Sequence, residues 1–358
     1  MGVAVVQRDV QRGRFVVAAR DLAANETVLE TSAYVIAPLE SYKKRVCSGC
    51  LAYNATGRLA LVGCKRHMCD QVYYCSETCR ERDAADHDEL CALWRRLASH
   101  DADRHIKSLL RVLTLVLLRR HQEEEKEVVA QTGTAHIDAA GRPNTTVPVL
   151  DELSTNERGS WADFLRLQSH ADSWTQEELR EWRKTERFLA GALLPHMSAG
   201  GEPLQHYVSA IESNCFGAWT DKGETYGRAL FLFASYFNHS CQPNCESIQH
   251  NGTMAIVTRG PIPKGTELTI RYIDVNIPCS TRRATLLAEY HFLCQCERCI
   301  AEAEAQVKPT YTYAKSVNNR RPPGSTTKRR AARKAAAAAT ASSSASPEEA
   351  LEEAFEDR

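Results

Sequence analysis

Apolar and polar residues alternate along the first part of the chain. "GRFVVAARDL" and "ETVLETSAYVIAP" predict short strands, with turns at Gly13 and near Asn25. From His100 to about His206 the period becomes helical. Ile106 to Arg120 includes the run "LLRVLTLVLL", Leu109 to Leu118, which is too short to span a bilayer and carries an arginine, so it reads as a buried helix. "TQEELREWRKTERFLAGALLP" puts Trp182, Phe188 and Leu189 on one stripe, closed by Pro195. The stretch between these helices, "TGTAHIDAAGRPNTTVPV", reads as a mobile loop. Short strands return from about Leu204 to Cys299. There "GTMAIVTRGPIPKGTELTIRYI" sets strands on either side of a "PIPKG" turn with Lys264 and Gly265 at its tip. Beyond Lys308 the composition falls to Pro, Arg, Ala and Ser before an acidic end, the signature of a disordered tail.

A chain of 358 residues has room for two or three domains, and 43% hydrophobic with 25% charged residues matches a soluble globular protein. Lys plus Arg equals Asp plus Glu at 45 each, so no global field argues for nucleic acid or membrane. The start lacks the long apolar run of a signal peptide, and Val6 stands where a myristoylation motif requires Ser or Thr. An intracellular protein, in the nucleus, the cytoplasm or both, is expected. The 14 cysteines then point to metal rather than disulfides, because a reducing compartment keeps thiols free.

Those cysteines cluster. Between residues 47 and 91 stand Cys47 and Cys50 (C-x2-C), Cys64 and Cys69, Cys75 and Cys79 (C-x3-C), then His87 and Cys91 (H-x3-C). Seven thiols and one imidazole suffice for two closed tetrahedral zinc sites. "SETCRERDAADHDELC" reads as helical, which lets Cys79, His87 and Cys91 share an inner face. His67, inside the wider Cys64–Cys69 interval, is an alternative ligand to Cys64. Metal would also explain how a module with so little apolar core folds.

A second cluster closes the ordered part of the chain. "YHFLCQCERC" supplies Cys294, Cys296 and Cys299, one ligand short of a structural zinc. Cys241 or Cys245 of "FNHSCQPNC" are the obvious fourth donors, with Cys215 and Cys279 as alternatives.

In order, the cysteine block resembles a MYND-type zinc module. "FNHSCQPNC", "KGTELTIRYID" and "RRATLLAEYHFLCQCERC" together resemble the second half of a SET domain with its post-SET cysteines. The combination is that of the SET-and-MYND lysine methyltransferases. The resemblance implies an α+β fold: a SET β-fold of short strands with a knot-like carboxy-terminal region, an inserted MYND module and a helical insert. It divides the chain into residues 1–46 (first SET part), 47–91 (MYND), 92–203 (helical insert), 204–278 (SET core), 279–302 (post-SET) and a tail, 303–358.

It also implies ligand sets and roles. Cys47, Cys50, Cys75 and Cys79 would hold one zinc; Cys64, Cys69, His87 and Cys91 a second; Cys241 would complete a third with Cys294, Cys296 and Cys299. S-adenosylmethionine would be contacted by the Gly13-Arg14-Phe15 turn, where the family's second glycine is replaced by phenylalanine, and by Asn214, Asn238, His239 and Phe292. Tyr272 would be the active-site tyrosine and border the cofactor. The implied activity is methyl transfer to lysine on a histone or another protein; the competing expectation is a catalytically weak scaffold that binds proline-containing peptides through its MYND module in transcriptional regulation. The basic run "TTKRRAARK", Thr326 to Lys334, is a candidate import signal or phosphate contact, but no basic recognition helix supports sequence-specific DNA reading.

Overall fold

The computed structural model describes residues 3–9, 13–59, 61–64, 69–133, 158–193, 197 and 203–304. His67, Pro195, nearly all of the expected loop after Thr132 and the carboxy-terminal tail lie outside them. The chain divides into two compact units, Met1–Asn238 with Pro243–Ile270, and His239–Gln242 with Arg271–Arg358.

In the first unit the amino-terminal alternation does form strands: β1 (Ala4–Asp9), β2 (Gly13–Ala18), β3 (Thr27–Ser32) and β4 (Val35–Pro38). Gly13 and Asn25 both have positive φ, 67° and 58°, the backbone that turns demand. Phe15 to Ala18 are all buried, so β2 is covered on both faces rather than one. The cysteine block adds the small pair β5 (Leu61–Val62) and β6 (Tyr73–Tyr74), then helix α1 (Glu77–Ser99). Ser76 caps α1 by accepting from the Cys79 amide at 3.2 Å.

Helix α2 (Arg104–Gly133) carries the apolar run, buried from Leu109 through Leu118. Its one charge, Arg111, is fastened on every side. Its Nε donates to Glu40 at 3.2 Å, Nη1 and Nη2 donate to the backbone and side chain of Gln71 at 3.2 and 2.6 Å, and the guanidinium lies 4.8 Å from the Trp94 ring. Lys43 completes the group by donating to Glu40 and Gln71 at 2.8 and 3.0 Å. This network ties the cysteine block to α2. No helix among the described residues is long and apolar enough to cross a membrane.

The short α3 (Trp161–Phe164) and then α4 (Gln176–Ala190) follow. In α4 Trp182 and Leu189 are buried and Phe188 half-buried, and the helix ends at Gly191, before Pro195. Helix α5 (Leu204–Asn214) leads into β7 (Phe216–Trp219) and β8 (Thr225–Leu230), which pair with β4 in the order β4–β8–β7. The chain runs out of this unit through β9 (Asn238–His239). β10 (Cys245–His250) and β11 (Thr253–Thr258) join β3 in a second antiparallel sheet, β10–β11–β3. β12 (Glu267–Ile270) pairs with β2, which pairs with β1. The strands flanking "PIPKG" thus belong to different sheets, with Gly265 at φ 80° between them. In the second unit, α6 (Cys279–Tyr290) and α7 (Glu297–Glu304) bracket Cys294 and Cys296, and Cys299 lies on α7 itself.

Candidate functional site

Among the described residues three groups of ligand atoms converge, each with all its members within 4.8 Å of one another: Cys47, Cys50, Cys75 and Cys79; Cys64, Cys69, His87 and Cys91; Cys241, Cys294, Cys296 and Cys299. Four sulfurs around zinc at about 2.3 Å would stand roughly 3.8 Å apart along the tetrahedron's edges. The sulfurs here fit: Cys50–Cys75 is 3.6 Å, Cys75–Cys79 3.7 Å and Cys64–Cys91 3.9 Å. His87 reaches its group through Nε2, 3.2 Å from the Cys69 sulfur. Burial pushes the Cys91 thiol up to about 12, with Cys69 and Cys64 adding to the effect. Without a cation these thiols stay neutral; ionising several of them in so small a volume would need one among them. Helix α1 serves both groups of the cysteine block, Cys79 turning to one while His87 and Cys91 turn to the other.

In the second unit, Cys241 stands 3.9 Å from Cys294 and 3.4 Å from Cys299. Hydrogen bonding from Cys294, then from His239 and Cys299, outweighs burial and pulls the Cys241 thiol down to about 3. Among the alternative donors Cys245 is simply buried in β10, which pushes its thiol up to about 12. Cys215 is likewise held up to about 12 by burial, and Cys279 points its sulfur at the Cys299 carbonyl at 3.6 Å.

Beside this cluster His239, Tyr272 and Phe292 come together. Ring centroids lie 5.4 Å apart for His239 and Tyr272, 6.2 Å for His239 and Phe292, and 6.4 Å for Tyr272 and Phe292. All three are half-buried, and their rings stand tilted or edge-on to one another, at 56°, 51° and 88° respectively. The Tyr272 amide donates to His239 Nδ1 at 3.0 Å, and the Tyr290 hydroxyl donates to the Tyr272 carbonyl at 3.4 Å. Burial raises the Tyr290 hydroxyl to about 12, so it stays a neutral donor. Tyr272 is thus held at both ends of its backbone.

Gly13, Arg14, Phe15, Asn214 and Asn238 belong to the first unit. Arg14 lies with its guanidinium 4.4 Å from the Tyr236 ring. Phe15 is 5% exposed and does not have positive φ, so a phenylalanine fits its strand position without strain. Asn214 donates to the carbonyls of Gln168 and Ala210 at 2.9 and 2.8 Å, closing the end of α5. Asn238 donates to Glu267 at 3.0 Å. Nearby Asn244 ties its own loop to β12, donating to the Glu267 carbonyl at 2.8 Å and accepting from the Thr269 amide at 2.8 Å.

Inspection of motifs missed three residues around the third cluster: Arg282, Arg298 and Glu302. Each reads as an ordinary helix-surface charge in the sequence, and only the fold shows that Arg282 is 1% exposed.

A SET domain matches residues 13–273, and the chain belongs to the SET-domain family. It carries two cysteine groups ahead of the SET core and is similar to SET and MYND domain-containing proteins. One such protein of Dictyostelium discoideum is 24% identical over 86% of this chain and 82% of its own length. A histone-lysine N-methyltransferase of Arabidopsis thaliana is 24% identical over 81% of this chain and 53% of its own. Among solved structures, the SET domain of LSMT bound to lysine and AdoHcy aligns at 13% identity and TM-score 0.39, over 83% of this chain and 53% of that one. The chain therefore spans about half the length of the solved chain it matches.

Proposed function

We propose that this chain transfers a methyl group from S-adenosylmethionine to a lysine side chain of a protein substrate, with a histone as the first candidate. The observation that carries the reading is the convergence of His239, Tyr272 and Phe292 beside a four-sulfur cluster, in a SET-family chain. When bound, S-adenosylmethionine supplies an electrophilic methyl: the lysine nitrogen bonds to that carbon, the carbon–sulfur bond breaks, and the electron pair stays on sulfur.

The protein's part is to hold the partners and to present a neutral amine. A free lysine has a pKa of about 10.4, so roughly one in a thousand is neutral near physiological pH. Burying the amine away from water disfavours the ammonium and shifts that balance toward the nucleophile. Tyr272, fixed through its amide and carbonyl, is placed to orient the amine with its ring and hydroxyl; holding nitrogen and methyl in line supplies much of the remaining rate. With the cofactor bound, His239 and Phe292 would hold it, and Asn238 is the residue before His239 in the chain. The two four-ligand groups of the cysteine block and Cys241, Cys294, Cys296 and Cys299 would each hold one zinc, which would fix these elements in place. The histone target is supported by the activity in the name of the Arabidopsis relative, and a nuclear or cytoplasmic location by the basic run Thr326 to Lys334.

The test is mass spectrometry of histones and a protein array incubated with zinc-loaded enzyme and S-adenosylmethionine. Methylated lysine should form with wild type and fall about 100-fold or more with Tyr272→Phe, while the variant still binds cofactor. Equal turnover by both proteins would remove Tyr272 from the mechanism. An absence of methylated lysine on any protein, with cofactor bound, would favour the peptide-binding scaffold.

A further inference from the structure

The third sulfur cluster has a built outer shell. Arg282, on the first turn of α6, buries its guanidinium against two of the four sulfurs: Nε donates to Cys241 Sγ at 3.2 Å and Nη2 to Cys299 Sγ at 3.4 Å. Its remaining donors are also engaged, Nη1 with the Ile277 carbonyl at 2.6 Å and Nη2 with Glu302 at 2.6 Å. Glu302 in turn accepts from Arg298 at 2.7 Å, and Arg298 Nη1 donates to the carbonyls of Cys241 and Val275 at 3.1 and 2.9 Å. A buried arginine is costly unless every face is paired, and here the pairing is directed at sulfur.

The line continues past the sulfur. His239 Nε2 lies 3.3 Å from Cys241 Sγ, while His239 Nδ1 accepts from the Tyr272 amide at 3.0 Å. One tautomer satisfies both contacts: a proton on Nε2 donates to sulfur and leaves Nδ1 as acceptor. Arg282, Cys241, His239 and the Tyr272 backbone thus form one hydrogen-bonded chain.

We propose that Arg282 is a positioning residue for this cluster, fixing the Cys241 and Cys299 sulfurs with two N–H···S hydrogen bonds and thereby, through Cys241 and His239, the backbone of Tyr272. The proposal rests on zinc occupying the cluster. Zinc with four thiolates carries two net negative charges, and an arginine donating to two of the sulfurs offsets one of them where water cannot. It also withdraws electron density from the sulfurs, which slows their attack by protons and oxidants. Glu302 and Arg298 hold the guanidinium in the plane that reaches both sulfurs.

The experiment measures zinc release from the full chain to the chromogenic chelator 4-(2-pyridylazo)resorcinol, with Cys294→Ser identifying the phase that belongs to this cluster. Arg282→Met should speed that phase about 10–100-fold and leave the phases of the cysteine block unchanged. Arg282→Lys, which keeps the charge without the fork, should fall between and guard against a methionine variant that fails to fold. In cobalt-loaded protein, loss of the hydrogen bonds should move the sulfur-to-cobalt charge-transfer band to lower energy, a change that general loosening does not produce. Wild type that loses no zinc on Cys294→Ser would overturn the zinc reading and this inference with it. Zinc present, with release rate and band unchanged in both arginine variants, would overturn this inference alone.

Discussion

At the scale of single residues, what matters is how each polar group in a dry place is answered. Asp83, on α1, accepts from the Tyr74 hydroxyl, yet burial dominates and pushes its carboxyl up to about 6. A carboxyl whose folded pKa exceeds its unfolded value of about 3.9 favours the fold only while protonated, so this contribution is lost as pH rises through about 4 to 6. Asp83→Asn should therefore stabilise the protein above that window, by up to about 3 kcal/mol at neutral pH, with the gain vanishing near pH 4. Denaturant melts of both proteins across that range check it; a constant difference would show that Asp83 does not titrate there. Phe15 is the complementary case. It stands where the family's turn has a second glycine, and its extended backbone and buried ring make it an ordinary strand residue.

At the scale of elements, the cysteine block was legible and its attachment was not. Closely spaced cysteines announce a metal site because short loops must bring ligands together, and helix α1 was readable from the spacing of Cys79, His87 and Cys91. Arg111 gave no such signal: within an apolar run it looks like an exception, and only the fold shows Glu40, Gln71 and Trp94 around it. The same holds for Arg282, whose partners come from residues 41 positions before it and 20 after it. Partners distant in sequence leave no local pattern. Because Arg111 is buried and its partners would be stranded, Arg111→Ala should cost about 3–5 kcal/mol, far more than breaking the exposed Arg20–Glu26 pair by Arg20→Ala. Equal, small effects from both substitutions in chemical denaturation would show that the network is dispensable to the docking of the block.

At the scale of the molecule, the order of elements was readable: strands, cysteine block, helices, strands, cysteines. What could not be read was the sheet partition. Strands β11 and β12 are neighbours in sequence but belong to different sheets, because β12 pairs with β2 and β11 with β3. Metal bears on the stability of the whole. Structural zinc contributes about 10–16 kcal/mol in small modules, so stripping it with a strong chelator should unfold the block from Cys47 to Cys91 and expose it to protease. Resistance of that block to protease after complete zinc removal would show that its apolar contacts suffice.

The central claim is that this SET-family chain carries a working cofactor site, and calorimetric titration of zinc-replete protein with S-adenosylmethionine tests it most directly. Saturable binding at one site per chain, lost or greatly weakened in Asn238→Ala, is the predicted result. Heats no larger than dilution, from wild-type protein whose fold and zinc content are intact, would contradict it.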